Sequence, residues 1–483
     1  MFLNPYLPLN EYVPDGEPRL FHHRVYIYGS HDVFGKFPFC YGDYVTYSCP
    51  EDDLSDWRYE GVIFHKKDDP KNRKGRKSLF APDVIEGNDG KYYLYYSSAW
   101  SGIIGVAVSS SPIGPFRFFN YVRHPDGTLL GKKKGDPFQF DPGIFIDDDK
   151  RIYLYSGFGA VSYFPQIPLN HRPQGAFVYE LGEDMVTLMG NPVKIASKAD
   201  EKENLNHAPT GHSFFEASSL RKIRGIYYFI YSSLEGHELC YMTSESPLGP
   251  FTYRGVIVSN GDVGINGREK KDALYPLGNN HGSLLVLKDR AYIFYHRHTN
   301  YTNTDRQGCI EPVTILEDGT IQQAERTSSG ASLSPLKGEG RFPASVCCVL
   351  LPKKGNVFYP FFRTPFKTLK ETYITQKKDR DSGENVQYIR NIQDGCLVGY
   401  KYFDLEYTRK AVLDIQGNAH GKISVLYEPD GKPVSSVNFV SSDKKKSGIA
   451  LPLVNGKKKS ALYFRFETEG KLDFFSFDLV TKI

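Results

Sequence analysis

Tryptophan and methionine are nearly missing from this chain of 483 residues, with 2 Trp and 4 Met against 34 Tyr and 33 Phe. Cysteine is sparse and odd in number. Cys40, Cys49, Cys240, Cys309, Cys347, Cys348 and Cys396 show neither paired CxxC spacing nor the density of a disulfide scaffold, so free buried thiols in a reducing compartment are expected. No apolar run approaches the roughly 18 residues that span a bilayer. Charge of a single sign is lacking too, since 60 basic residues are mixed with 56 acidic ones. The basic runs at 132–134, 444–446 and 457–459 each sit beside turn residues and read as solvated tips. Nucleic-acid and membrane partners are therefore not expected. The N-terminus shows no basic segment followed by an apolar one, which predicts a soluble, cytoplasmic protein.

What the chain has is Tyr- and Phe-rich strand patterning broken by 45 Gly and 30 Pro, the composition of an all-β protein. The length accommodates two or three domains. One plan recurs five times, at spacings of roughly 60 to 75 residues. A polar or ionisable residue precedes an aromatic strand: Asp15 before 25–28, Asp83 before 91–96, Asp141 before 151–155, Glu216 before 225–231 and His281 before 291–295. Asp15 and Asp141 are locked beside Pro and Gly. The phrase Ser111-Pro112-Ile113-Gly114-Pro115-Phe116 returns as Ser246-Pro247-Leu248-Gly249-Pro250-Phe251, which supports a true structural repeat. Asp147, Asp148 and Asp149 form a hairpin turn and lack the further ligands of a calcium loop.

Repeats of this period made of about four short strands describe a β-propeller of five blades over residues 1–325. Its innermost strands line the axis, so Asp15, Asp83, Asp141, Glu216 and His281 are expected in one funnel. Residues 326–344 read as a Ser-, Gly- and Pro-rich linker. Alternating runs separated by Asp430-Gly431 and Asn455-Gly456 make residues 345–483 a β-sandwich.

Carboxylates at the mouth of an aromatic channel suit glycosidic hydrolysis, one activating water and one protonating the leaving oxygen. A third raises the donor's pKa by repulsion. Glu216 follows Phe214-Phe215, an apolar setting that favours its protonated form, and is the expected general acid; Asp15 is the expected base. The motifs Pro14-Asp15-Gly16-Glu17-Pro18, Phe140-Asp141-Pro142-Gly143, Phe215-Glu216-Ala217 and Asn280-His281-Gly282-Ser283 resemble those of glycoside hydrolase family 43. The resemblance implies a five-bladed propeller and an inverting mechanism, with Asp141 as pKa modulator and orienting acid. It also implies that His281 lies near the base and ligates a central calcium or sodium ion, and that Arg306 pairs with the modulator. No cofactor is implied for the chemistry. Trp100 is a candidate sugar-stacking platform, Asp83 a pocket-shaping or strand-capping residue, and His296 and His298 structural or pocket-wall residues. The C-terminal part resembles family 6 carbohydrate-binding modules at residues 391–395, 399–404 and 472–477. The function expected is exo release of terminal pentoses from plant-derived oligosaccharides, as an α-L-arabinofuranosidase with β-D-xylosidase activity. Endo-arabinanase, exo-β-galactosidase and a non-catalytic carbohydrate-binding propeller stand as alternatives, and oligomeric state is not readable.

Overall fold

The structure is a computed structural model describing residues 3–159, 174–198, 201, 204–360, 369–378 and 383–481. Among the described residues, nineteen strands form five antiparallel meanders. Blade I holds β1 (Glu17–Phe21), β2 (Arg24–Tyr28), β3 (Tyr44–Pro50) and β4 (Arg58–Phe64). Blade II holds β5 (Leu79–Glu86), β6 (Tyr92–Ser98), β7 (Ile104–Ser109) and β8 (Arg117–Tyr121). Blade III is β9 (Gly143–Ile146), β10 (Ile152–Phe158), β11 (Gly175–Leu181) and β12 (Val193–Ser197). Blade IV is β13 (Phe214–Ile223), β14 (Ile226–Ser233), β15 (Glu238–Ser244) and β16 (Thr252–Ser259). Blade V has three strands, β17 (Leu284–Leu287), β18 (Arg290–His298) and β19 (Arg306–Val313). The N-terminal segment completes it: Asn4 exchanges side-chain hydrogen bonds with Ile310, and the Tyr6 amide donates to the Gly308 carbonyl at 3.3 Å.

The aromatic strands explain why the blades close into a ring. Along β6, Tyr92, Leu94 and Tyr96 enter the core shared with blade I, while Tyr93 and Tyr95 enter the core shared with blade III. Alternation on a strand buried on both faces thus fills two interfaces at once. Separate apolar clusters join I to II, II to III, III to IV, IV to V and V back to I. Buried tyrosines need a partner for the hydroxyl. Tyr28, Tyr95 and Tyr155 each donate to a carbonyl of the following blade, those of Pro112, Met185 and Pro247. Two of these acceptors belong to the repeated Ser-Pro phrase. Its function is to receive the hydroxyl of the preceding blade.

Two further sheets form the C-terminal β-sandwich, built from β20 (Leu336–Lys337), β21 (Gly340–Pro343), β22 (Val349–Leu351), β23 (Tyr373–Lys378), β24 (Asn385–Ile392), β25 (Cys396–Asp404), β26 (Lys410–Gln416), β27 (Ala419–Leu426), β28 (Ser435–Ser441), β29 (Ser447–Pro452), β30 (Ser460–Gly470) and β31 (Leu472–Val480). Phe342, Tyr400, Phe403, Phe464, Phe474 and Phe477 lie in its shared core. Residues 326–344, expected as a linker, are built into the body of the protein. β20 pairs with β25, β21 pairs with β31, and Arg326 is buried with its guanidinium 4.0 Å from the Tyr275 ring. The sandwich also grips the propeller through polar contacts. Buried Arg297 donates to Gln307, Gln387 and the Ser345 carbonyl, and Lys401 pairs with Asp262 at 3.0 Å and Glu325 at 2.8 Å. Beside the propeller axis, Phe358 forms a parallel bridge with Leu277. All seven cysteines are free and buried.

Candidate active site

The inner strands meet so closely at one end of the axis that side chains must be missing there. A Cβ on Gly282 would lie 1.9 Å from the Phe294 carbonyl oxygen, and one on Gly143 would lie 2.3 Å from that of Ser218. Gly16 and Gly282 form a parallel bridge that joins blade V to blade I. Asp15 lies just before Gly16 and Asp141 two residues before Gly143, and both open toward the mouth. Asp15 and Asp141 hold φ of 57° and 44°, in the left-handed region that Asp tolerates better than most residues. Glu216 is aimed differently. It sits where β13 bulges against β14, followed by Ala217 at φ 69°. A bulge re-aims a strand side chain, and backbone strain of this kind collects at functional sites.

Asp15, Asp141, Glu216, His281, Arg306 and Trp100 line one cavity of about 510 Å³. Asp83 is placed elsewhere. It accepts from Arg19 Nε at 2.9 Å and Nη2 at 2.5 Å, and from the Ile144 amide at 2.9 Å, and so ties blades I, II and III together. Register accounts for the difference. Glu17, Asp83 and Gly143 are the residues opposite Tyr28, Tyr95 and Tyr155, and the position two residues nearer the mouth is Asp15 in blade I, Asp141 in blade III and Ala81 in blade II. Glu17 lies in the same deeper layer, where it accepts from Arg221 at 2.7 Å.

Arg306 corrects the expected pairing. Its Nη1 donates to both Asp15 oxygens, at 2.9 and 3.3 Å, while Nε and Nη2 clasp Asp32 at 2.9 and 3.1 Å. The guanidinium leads β19 and therefore faces blade I across the ring closure rather than blade III. It partners the base candidate, not Asp141. His296 supports the same residue from behind. Its Nε2 donates to the Asn279 carbonyl at 2.8 Å, which leaves Nδ1 to accept the Asp15 amide at 3.3 Å. Burial, then Arg306 and His281, hold this imidazole well below its usual pKa. His298 bonds the Asn279 side chain at 2.7 Å.

The opposite wall is apolar. The Phe158 ring packs against Phe215, tilted, with centroids 5.2 Å apart, and edge-to-face against Phe140 at 5.3 Å, with Phe138 and Phe80 beyond. Burial in this surround, then the Asp15 charge, pushes Glu216 up to about 8, with Arg306 opposing. Burial, then Glu216 and Asp15, also pushes Asp141 well above the carboxylate range, against the Ala217 amide that donates to it. The result is one acid kept protonated at neutral pH and one carboxyl group set against a fixed cation.

His281 lies 3.6 Å from Asp141, and burial holds it neutral with a pKa near 4. It joins no group of three or more His, Cys, Asp or Glu ligand atoms among the described residues. Calcium takes six to eight oxygens. His281 and Asp141 offer one imidazole nitrogen and one carboxyl group, so they do not by themselves supply the expected calcium site. Sequence reasoning missed Asp32, Phe158 and Phe358. Trp100, the expected sugar-stacking candidate, is exposed at the rim, as is Phe358 from the sandwich, just after β22.

Comparison with known proteins decides the family, since the profile of Glycosyl hydrolases family 43 matches residues 40–321. The chain belongs to glycosyl hydrolases family 43. It is therefore a glycoside hydrolase. It is 43% identical to a xylosidase/arabinosidase of Thermoclostridium stercorarium over 99% of this chain and 98% of that one. A family 43 subgroup 1 enzyme from Xanthomonas citri complexed with xylotriose aligns at TM-score 0.53 and 26% identity, over 66% of this chain and 92% of that one. A family 43 arabinoxylan arabinofuranohydrolase from Bacillus subtilis shares the fold over 99% of this chain and 97% of that one, at TM-score 0.50 and 24% identity.

Proposed function

We propose that this family 43 enzyme is an inverting exo-glycosidase that removes terminal pentoses, chiefly α-L-arabinofuranose with β-D-xylose as a second substrate, from short plant-derived oligosaccharides. The observation that carries the reading is the pairing, in one cavity, of a Glu216 buried against an apolar wall that pushes it toward its protonated form with an Arg306-bound Asp15. Glu216 gives its proton to the glycosidic oxygen as the bond to the anomeric carbon breaks. Asp15 takes a proton from the water that attacks the opposite face, and the sugar leaves as a hemiacetal of inverted configuration. Asp141, held beside the acid by the Ala217 amide and itself pushed toward its protonated form, is read as the group that orients Glu216, while burial and the Asp15 charge keep Glu216 protonated. Solvent then returns a proton to Glu216 and accepts the one on Asp15.

A cavity of about 510 Å³ holds one or two sugar rings, which favours exo action over an endo-acting groove. Three acids argue against a non-catalytic propeller, because a lectin has no use for a proton donor. The related xylosidase/arabinosidase supports the sugar class. For the sandwich, a buttressing role is the better reading of its likeness to family 6 modules. Among its described residues the exposed aromatics are Phe358, which lines the propeller's cavity, and Tyr407, while Phe475 and Tyr388 lie buried beneath Lys377.

The test is a panel of p-nitrophenyl α-L-arabinofuranoside, β-D-xyloside and β-D-galactoside alongside linear arabinan, with the product anomer followed by NMR. Fast release from the arabinofuranoside with inverted product is expected. Shortening of arabinan without action on any small glycoside would replace this reading with an endo-arabinanase.

A further inference from the structure

Blade IV carries a second cluster of ionisable side chains that hydrolysis does not use. Glu238 opens β15 and Cys240 follows two residues later, so strand alternation puts both on one face. That face enters the core between blades III and IV, where Cys240 is fully buried. His212 reaches the same point from the loop before β13, anchored by the Tyr231 hydroxyl, which donates to its carbonyl at 2.7 Å. Glu238 Oε1 is the hub. It accepts from His212 Nδ1, from Ser233 Oγ at 2.7 Å and from the Cys240 thiol at 3.3 Å, and Cys240 Sγ lies 3.9 Å from His212 Nδ1.

Among the described residues, this is the one group of His, Cys and carboxylate ligand atoms that lie within 4.8 Å of one another. Tetrahedral zinc with bonds of ~2.0–2.3 Å sets its ligand atoms roughly 3.3–3.8 Å apart. The sulfur-to-oxygen and sulfur-to-nitrogen separations are already close to that, and the hydrogen-bonded His212 and Glu238 atoms must move apart to reach it. We propose that His212, Glu238 and Cys240 form a binding site for zinc or a similar borderline-soft divalent cation, with water as the fourth ligand. The mixed nitrogen, sulfur and oxygen set disfavours calcium and magnesium, which take oxygen donors. The His212 side chain, 28% exposed, leaves a side open to solvent.

Binding replaces the hydrogen bonds around Glu238 with bonds to the ion. The Cys240 thiol loses its proton to solvent, His212 carries its proton on Nε2 instead of Nδ1, and one proton is released per ion. The alternative use of such a trio, a Cys nucleophile with His and Glu, needs a reachable thiol of low pKa. Here burial, then Glu238, holds the thiol well above its usual value. The site also has a structural consequence. Glu235 and Gly236, on the turn between β14 and β15, line the active cavity, so an ion at Glu238 braces that turn.

The full chain, stripped with a chelator, is titrated with Zn2+ in competition with a chromophoric chelator, and separately with Co2+. One ion per chain is expected, with a near-ultraviolet thiolate-to-cobalt charge-transfer band. Cys240→Ser removes the band and weakens Zn2+ binding by ~100-fold or more. His212→Ala removes a partly exposed ring, so it tests the site even where the buried cysteine variant folds poorly, and it weakens binding comparably. Absence of stoichiometric binding to the parent protein overturns the proposal. So does binding that survives in both variants.

Discussion

Phe158→Ala tests the physical origin of the acid's protonation. Glu216 ionises at about 8 where an ordinary Glu does so at 4.5, chiefly because it is buried. At 1.36 kcal/mol per pKa step, the site destabilises the carboxylate by ~5 kcal/mol. Phe158 is the ring around which Phe215, Phe140 and Phe138 pack. Its truncation opens a void beside the cavity, admits water and lowers the desolvation of Glu216. Activity needs Glu216 protonated, so the basic limb of kcat/KM reports its ionisation in the free enzyme. The parent limb is expected near pH 8, falling tenfold per pH unit above it. In Phe158→Ala the limb moves down by about one pH unit or more, toward the ordinary value. A stability loss of ~3–5 kcal/mol accompanies the change, so the profile is measured well below the melting temperature. A basic limb that stays in place or rises refutes burial as the cause.

The same ionisation links to stability. The folded-state value of Glu216 is raised above its unfolded value, so the contribution of this one group to stability is full below pH 4.5 and declines up to about pH 8. Glu216→Gln removes that decline, and calorimetry finds the variant more heat-resistant than the parent at pH 8.5 but not at pH 4.5. Arg306→Met leaves Asp15 and Asp32 buried without their cation; a destabilisation of ~3–5 kcal/mol in urea unfolding is expected, with kcat reduced even at saturating substrate. Asp83→Asn breaks a buried pair with Arg19 away from the cavity, so it lowers stability by a similar amount yet leaves kcat/KM within about threefold of the parent.

Much of this was legible in the chain because propeller repeats write the fold and the site in one period. The Tyr-rich second strands gave the blades, and the acids beside Pro and Gly gave the mouth of the axis. The errors have physical causes. Asp83 shares its Pro neighbour with the other motifs, but inter-strand register sets it two residues deeper, and Ala81 holds its place at the mouth. Register depends on pairing with β6, which composition does not report. Arg306 faces Asp15 because the ring closes blade V against blade I, a consequence of topology that no local motif carries. Asp32 follows β2 with nothing to distinguish it from a turn residue until Arg306 is seen beside it. The wall was half visible, since Phe140 and Phe215 flank the two acids, whereas Phe158 and Phe358 arrive from other segments. The linker was misread because Ser and Gly suggested solvent, while Phe342 and Arg326 among them are buried.

The central claim is the division of labour between Glu216 and Asp15, and dependence on the leaving group tests it most directly. Glu216→Gln and Asp15→Asn are compared on an arabinoxylo-oligosaccharide and on a 2,4-dinitrophenyl pentoside, whose leaving group departs without a proton. Glu216→Gln is expected to lose about 10⁴-fold in kcat/KM on the oligosaccharide but no more than about tenfold on the activated glycoside, whereas Asp15→Asn loses 10³-fold or more on both. Equal losses for Glu216→Gln on the two substrates, or an Asp15→Asn enzyme that keeps its rate, would contradict the assignment.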